Sequence, residues 1–196
     1  MHEVAHVATA TVAPDTEAVR LVDVVTSAAA PVATGLSEFD RALGGGLVPG
    51  SVTLLGGEPG IGKSTLTLQV AAGQARRKQR VLLVGAEESS AQVRLRAERL
   101  GALVDGVWLA GDADLDVVVG HLDRLEPDVL VVDSIQTIYD PAIGGLPGST
   151  TQVRGCAHRL VGEARRRGTT TVLVGHVTKE GRSEERRVGK ECRSRW

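Results

Sequence analysis

The stretch Ser51-Val-Thr-Leu-Leu-Gly-Gly-Glu-Pro-Gly-Ile-Gly-Lys-Ser-Thr65 decides the fold of this chain. A short apolar run precedes a glycine-rich turn and a helical pattern, which predicts a strand, a loop and a helix in succession. Within it, Gly57-x-x-x-x-Gly62-Lys63-Ser64 fits the phosphate-binding loop pattern. The glycines let the backbone approach a phosphate closely, and the loop amides form a nest of donors. The stretch therefore predicts a polyphosphate site, and a plain glycine-rich strand-to-helix turn is the alternative.

The predicted ligand is ATP with magnesium. Lys63 has the length to reach the β- and γ-phosphates, and the Ser64 hydroxyl can ligate the metal. The helix that begins near Lys63 adds the partial positive charge of its N-terminus. The candidate nucleotide-binding residues are Gly57, Glu58, Pro59, Gly60, Ile61, Gly62, Lys63, Ser64 and Thr65.

Composition limits the class of protein. The 196 residues suit one domain, and because only 2% are aromatic the core must be built from Val, Leu, Ala and Ile. The formal net charge of −1 gives no global attraction to nucleic acid, so any such contact must be local. Cys156 and Cys192 lie far apart and form no paired-cysteine zinc motif. Without an apolar run of membrane length or a visible signal peptide, we expect a cytoplasmic protein with no membrane contact.

Strand and helix patterns alternate along the chain. Strands are predicted at residues 21–25, 81–86, 107–109, 128–133 and 169–174, in addition to the strand before the glycine loop. Helices are predicted at 34–43, 64–78, 89–100 and 115–125, and from a mobile loop at 140–149 to about residue 167. This alternation predicts an α/β fold with a mostly parallel central sheet and helices on both faces.

Polar side chains follow the predicted strands at their carboxyl ends, where such sheets bind ligands. Asp133 follows four apolar residues, which is the pattern of a Walker B aspartate. Such an aspartate would hold magnesium opposite Ser64. The alternative is an aspartate that caps the next turn. Glu87 ends another strand and can orient or deprotonate an attacking water, or belong to a solvated acidic turn. His176 can sense the γ-phosphate or be structural.

Two further patterns concern other ligands. Three basic residues share one face of the helix that follows the loop at 140–149: Arg154, His158 and Arg165. This face can follow a nucleic-acid backbone, or it can simply be solvated. The segment His2-Glu-Val-Ala-His6 fits the H-E-x-x-H zinc pattern. It lies at a chain terminus with no further ligand nearby, so we expect no zinc site there.

Several segments occur in an order and spacing typical of one family. They are Thr34-Gly35, Gly57-Glu-Pro-Gly-Ile-Gly-Lys-Ser-Thr65, Glu87-Glu-Ser89, Val132-Asp-Ser-Ile-Gln-Thr137, Pro147-Gly-Ser149, Gln152-Val-Arg154 and Gly175-His-Val-Thr-Lys-Glu-Gly181. Together they resemble the RadA (Sms) family of bacterial DNA-repair ATPases over about residues 32–181.

The resemblance implies a RecA-like P-loop NTPase core that hydrolyses Mg-ATP in DNA recombination and repair. It implies single-stranded or branched DNA threaded through a ring of subunits, a hexamer in the intact family, with recombination proteins as partners. It further implies that Glu87 is the catalytic glutamate and that Arg96 lies against adenine. The implied DNA-binding residues are Gly148, Ser149, Gln152 and Arg154.

The chain also departs from the family pattern. Family members usually begin with a four-cysteine zinc finger, and this chain has none, so no zinc site is expected in it. Family members also continue into a Lon-protease-like domain. We expect a flexible lead-in at 1–31, the ATPase core at 32–181, truncated at its C-terminal end, and a non-family tail at 182–196. Six of these fifteen tail residues are basic, which resembles translated vector sequence; a natural tail that binds nucleic acid is the alternative.

The predicted function is ATP-dependent DNA repair. The resemblance implies a basic Lys-Asn-Arg-Phe-Gly motif after residue 181 that acts on the nucleotide of a neighbouring subunit. This motif is missing here, so we expect weak hydrolysis. A helicase-type or clock-type RecA-like ATPase is one alternative. A non-catalytic nucleotide-binding module is the other.

Overall fold

The computed structural model describes residues 19–23 and 30–176. Within these residues the strands are β1 (Val52–Gly57), β2 (Val81–Val84), β3 (Val107–Ala110), β4 (Val129–Val132) and β5 (Thr170–His176). The helices are α1 (Ser37–Ala42), α2 (Lys63–Arg76), α3 (Ser90–Arg99), α4 (Leu115–Leu125) and α5 (Thr150–Arg167). The His2–His6 pattern and the tail at 182–196 lie outside the described residues.

The strands form one parallel sheet in the order β1-β5-β4-β2-β3. Both β2 and β4 are buried along their whole length, as the unbroken apolar runs in their sequences require. Because parallel strands run in the same direction, the residues that follow each strand meet at one rim of the sheet. The predicted parallel α/β architecture is confirmed.

Helices cover both faces of the sheet, again as predicted. On one face, Val81 and Leu83 pack with apolar residues of α2 and α3. On the other face, Leu82 and Val84 pack with those of α4 and α5. The alternation along β2 follows from the two-residue period of a strand. None of the helices in the described part of the chain is long and apolar enough to cross a membrane.

The predicted strand at 21–25 is wrong for the residues that the structure describes there. Leu21–Asp23 is a turn of 3-10 helix instead. A local hydrogen bond supports this turn: the Arg20 guanidinium donates to the Asp23 carboxylate over 2.6 Å. The apolar side chains of Leu21 and Val22 stay exposed, so burial does not favour an extended conformation.

Candidate nucleotide-binding site

The glycine-rich loop joins the end of β1 to the start of α2. Gly60 and Gly62 have φ angles of 80° and 98°, in the left-handed region that glycine adopts without steric cost. Gly57 serves differently: a Cβ atom there would lie 3.3 Å from Ile61 Cγ2 and 3.5 Å from Lys63 Cδ. Its missing side chain therefore leaves room for the lysine stem.

The N-terminus of α2 points its amides into the loop. Gly62 is the N-cap residue and no side chain caps the helix there. The first amides of a helix have no intrahelical acceptor, so they can bind an anion. Lys63 is only 8% exposed, and its Nζ donates to the carbonyl oxygens of Gly57 (2.7 Å) and Glu58 (2.8 Å). The amine thus lies within the loop that is predicted to hold phosphate.

Asp133 lies directly beyond β4, opposite that loop. The Ser64 side chain lies near its carboxylate, and the two residues line the same small cleft. Burial raises the pKa of Asp133, and the negative charges of Glu87 and Glu88 add to the rise, while the Ser64 hydrogen bond and the Arg96 charge oppose it. Because burial destabilises the ionised form of this carboxylate, a bound cation would offset the lost solvation.

Glu87 meets two partners from neighbouring strand ends. Ser134 Oγ, which is fully buried, donates to Glu87 Oε1 over 2.6 Å. His176 Nε2 lies 3.5 Å from the same oxygen. Glu87, Asp133 and His176 therefore lie at one rim, as expected from their positions after the strands. The only signal in the sequence for a role of Ser134 is its place immediately after the Walker B aspartate.

Arg96 projects from α3 to the same rim, where its guanidinium pairs with Glu88. It lines a small cleft with Ser64, Glu87 and Asp133. The other carboxylate oxygen of Glu88 is buried and has no hydrogen-bond partner within the described part of the chain. The contact of Arg96 with adenine, implied by the family resemblance, stays a prediction.

The donor set fits magnesium. Mg²⁺ is bound in nucleotide sites through one or two carboxylates and the phosphates, and it keeps several waters. Asp133 and the Ser64 hydroxyl supply hard oxygen ligands of this kind at the mouth of the loop. Among residues 19–23 and 30–176, no group of three or more His, Cys, Asp or Glu side chains is arranged to hold a metal by itself. The phosphates would therefore complete the coordination.

Asp133→Asn is expected to raise the unfolding temperature of the nucleotide-free chain by about 2 °C at pH 7. Burial raises the pKa of this carboxyl, so its ionised form destabilises the fold. This penalty shrinks as pH falls through the folded-state pKa and is absent below the unfolded-state pKa. The gain should therefore shrink on acidification. The same variant should weaken magnesium-dependent ATP binding. Thermal unfolding from pH 4 to 8, with and without Mg-ATP, measures both effects.

Asp140→Asn is the matched control of opposite sign. The Ala142 amide and the Arg159 guanidinium lower the pKa of Asp140, so its ionised form stabilises the fold above the unfolded-state pKa. Its replacement should lower the unfolding temperature at pH 7, and the loss should shrink in acid. Equal shifts of one sign in both variants would contradict this assignment.

The predicted DNA-binding residues lie around the loop at 140–149 and the first turn of α5. Gly148, with a φ of 79°, and Arg154 are exposed, and Ser149 is the N-cap residue of α5. Gln152 differs from the expectation because it is only 3% exposed. Its amide nitrogen donates to the carbonyl oxygens of Asp140 (3.1 Å) and Ile143 (2.6 Å), and its amide oxygen accepts from the Asp140 amide (3.0 Å). In this conformation Gln152 holds the loop together, and its contact with DNA stays a prediction.

A parallel α/β sheet that carries a phosphate-binding loop opposite an aspartate at a strand end defines a P-loop nucleotide-binding protein. Sequence comparison agrees with this class and narrows it. The chain belongs to the AAA domain family, whose sequence profile matches residues 16–182.

The relatives that it matches are DNA repair proteins. The chain is 46% identical over 174 residues to DNA repair protein RadA of Mycolicibacterium smegmatis, which covers 87% of this chain and 37% of the relative. It is 45% identical over 148 residues to the RadA protein of Halalkalibacterium halodurans, covering 76% of this chain and 32% of the relative. The resemblance to the RadA family is thereby confirmed. The chain spans about a third of the length of these curated relatives.

Proposed function

We propose that this chain binds Mg-ATP in the glycine loop at 57–65 and hydrolyses it in the service of DNA repair. One observation carries the proposal: Ser64, Asp133 and Glu87 line the same small cleft, although they lie far apart in the sequence. A residue of the candidate phosphate loop, a candidate metal ligand and a candidate base are thus close together.

Each residue takes a role that its contacts support. Lys63 and the first amides of α2 would neutralise the phosphate oxygens. Asp133 and Ser64 would hold magnesium, which would supply charge stabilisation when bound. Glu87 accepts a proton from the attacking water as the water oxygen bonds to the γ-phosphorus. The bond between that phosphorus and the bridging oxygen breaks, and ADP leaves with the electron pair.

The DNA-related part of the proposal comes from the printed names of the relatives and from the charge of α5. Single-stranded or branched DNA is the proposed partner, and exposed Arg154 is the proposed contact to its backbone. Following the family resemblance, we propose a cytoplasmic ring of subunits that acts with recombination proteins. A cation supplied by a neighbouring subunit accelerates phosphoryl transfer by ~10³–10⁵, so slow turnover is expected where that cation is missing.

Arg154→Ala is expected to weaken binding of single-stranded DNA by about fivefold at 0.1 M salt, and to make the binding less dependent on salt. Fluorescence anisotropy of a labelled oligonucleotide, in the presence of Mg-ATP, measures both. Arg124→Ala is the matched control: it removes an exposed arginine from α4 and should leave DNA binding unchanged.

This DNA-binding assay, together with a measurement of ATP binding and turnover, separates the proposed function from its alternatives. Equal DNA binding by Arg154→Ala and Arg124→Ala would contradict the proposed DNA contact. ATP binding without turnover, with or without DNA, would favour a non-catalytic nucleotide-binding module.

A further inference from the structure

We propose that Ser134 is a positioning residue for Glu87: its hydroxyl holds one carboxylate oxygen, so that the other faces the attacking water. This inference rests on the proposed function, because it assigns Ser134 a task only if Glu87 takes a proton from water. It concerns a residue that does not itself touch the reacting atoms.

The backbone that carries the Ser134 hydroxyl is held on both sides by hydrogen bonds. Ser134 is fully buried directly beyond β4. Its carbonyl oxygen accepts from the Thr137 amide (3.2 Å) and from Thr137 Oγ1 (2.8 Å), which closes a tight turn. On its other side, the amide of Asp133 donates to the Val84 carbonyl over 2.8 Å and so extends the pairing of β4 with β2. A hydroxyl held on both sides in this way has little freedom to follow a moving partner.

Glu87, in contrast, needs an external constraint. It lies between β2 and α3, outside both elements, and its side chain is 45% exposed. An unrestrained glutamate of this kind samples several rotamers, and ordering such a side chain costs entropy. The 2.6 Å bond from Ser134 Oγ to Oε1 selects one of them. His176 Nε2, 3.5 Å from the same oxygen, lies on the same side of the carboxylate.

The chemistry of a hydroxyl suits this task. A cationic donor would stabilise the carboxylate strongly and make it a weaker base. A neutral hydroxyl fixes its direction with a smaller effect on its charge. Both Ser134 and His176 contact Oε1, so Oε2 is the oxygen left to accept the proton of the water. A base must lie within hydrogen-bond reach of the proton that it removes, and small displacements of such a group can cost about a hundredfold in rate.

The test uses single-turnover hydrolysis, with the 196-residue chain in excess over radiolabelled ATP. We expect Ser134→Ala to slow hydrolysis about tenfold or more while the affinity for ATP stays within about twofold. Ser134→Cys, which keeps a weak donor, should restore part of the rate. Thr171→Val is the matched control, because it removes another fully buried hydroxyl. Thr171 lies at the start of β5, the end away from His176, so its replacement should change neither the rate nor the ATP affinity.

A double-mutant cycle shows whether Ser134 acts through Glu87. In the Glu87→Gln background, Ser134→Ala should cause no further loss of rate. Thermal unfolding gives a readout that does not need activity: the melting shifts of Ser134→Ala and Glu87→Ala should not add in the double variant.

The outcomes separate this inference from the proposed function. A slow Glu87→Gln with an unchanged Ser134→Ala overturns only the role of Ser134. So does an equal loss on Ser134→Ala in both backgrounds, which would indicate a purely structural residue. If Glu87→Gln hydrolyses ATP as fast as the unchanged chain, or if the unchanged chain does not hydrolyse ATP, the proposed function fails and this inference falls with it. If Ser134→Ala does not fold, the Ser134→Cys comparison decides.

Discussion

Lys63→Ala is expected to weaken ATP binding by a factor of about 100 or more, which corresponds to ~2.7 kcal/mol. Lys63 is 8% exposed, and its amine lies 2.7 and 2.8 Å from two loop carbonyls, inside the proposed phosphate site. Hydrogen bonds that involve a charged group contribute about 1.5–3 kcal/mol each, and the lysine can make more than one to the phosphates. Titration calorimetry with ATP and magnesium measures the loss.

The control for this variant must separate lost contacts from lost folding. Arg124→Ala removes a cation from an exposed position of α4, away from the loop, and should bind ATP as the unchanged chain does. Thermal unfolding of Lys63→Ala without nucleotide reports whether the loop still forms when the Gly57 and Glu58 carbonyls lose their partner. A folded Lys63→Ala variant that still binds ATP tightly would show that the nucleotide binds elsewhere.

Much of the fold follows from local patterns in the sequence. The apolar runs Val81–Val84 and Val129–Val132 are typical of strands buried on both faces, and the helical patterns between them favour a parallel sheet. The order of the strands in the sheet, in contrast, does not follow from local patterns. It depends on which strands pair over long separations in the sequence, and the pattern of one strand does not indicate its neighbours. The sequence therefore predicts the layers but not the position of β1 beside β5.

Helix α5 shows how a polar residue can mislead. The apolar pattern of Val153, Ala157, Leu160 and Ala164 predicts the inward face, whereas the fully buried series in the structure is Gln152, Cys156, Leu160 and Ala164. The two sets agree over the last turns and differ at the first. A glutamine is taken as exposed by any hydrophobicity pattern, yet Gln152 is buried because its amide satisfies backbone groups of the loop before it.

The candidate site also has a part that the sequence predicts and a part that it does not predict. The glycine loop and the carboxylates could be predicted because their positions relative to a strand decide where they lie. The bond between Ser134 and Glu87 could not, because it joins residues 47 positions apart and depends on the register of β2 against β4. Contacts across strands are thus the part of the site that only the structure supplies.

Glu87→Gln is expected to slow ATP hydrolysis by a factor of 10²–10⁴, within the range of general acid–base catalysis, and to leave ATP affinity nearly unchanged. The glutamine side chain has the same shape and still offers an oxygen to the Ser134 hydroxyl, so the local structure should persist. It cannot take up a proton from water, so the loss falls on the chemical step. Single-turnover hydrolysis gives the rate, and calorimetry gives the affinity.

Glu98→Gln is the matched control, since it makes the same exchange at an exposed position of α3 and should change neither quantity. The comparison with Lys63→Ala then separates binding from catalysis. Loss of affinity in one variant and of rate alone in the other places the phosphate contact and the base on different residues. Equal rates for Glu87→Gln and the unchanged chain would mean that Glu87 is not the base. Ser134 and His176 would then hold a carboxylate whose task lies outside proton transfer, such as orienting the attacking water or sensing the nucleotide.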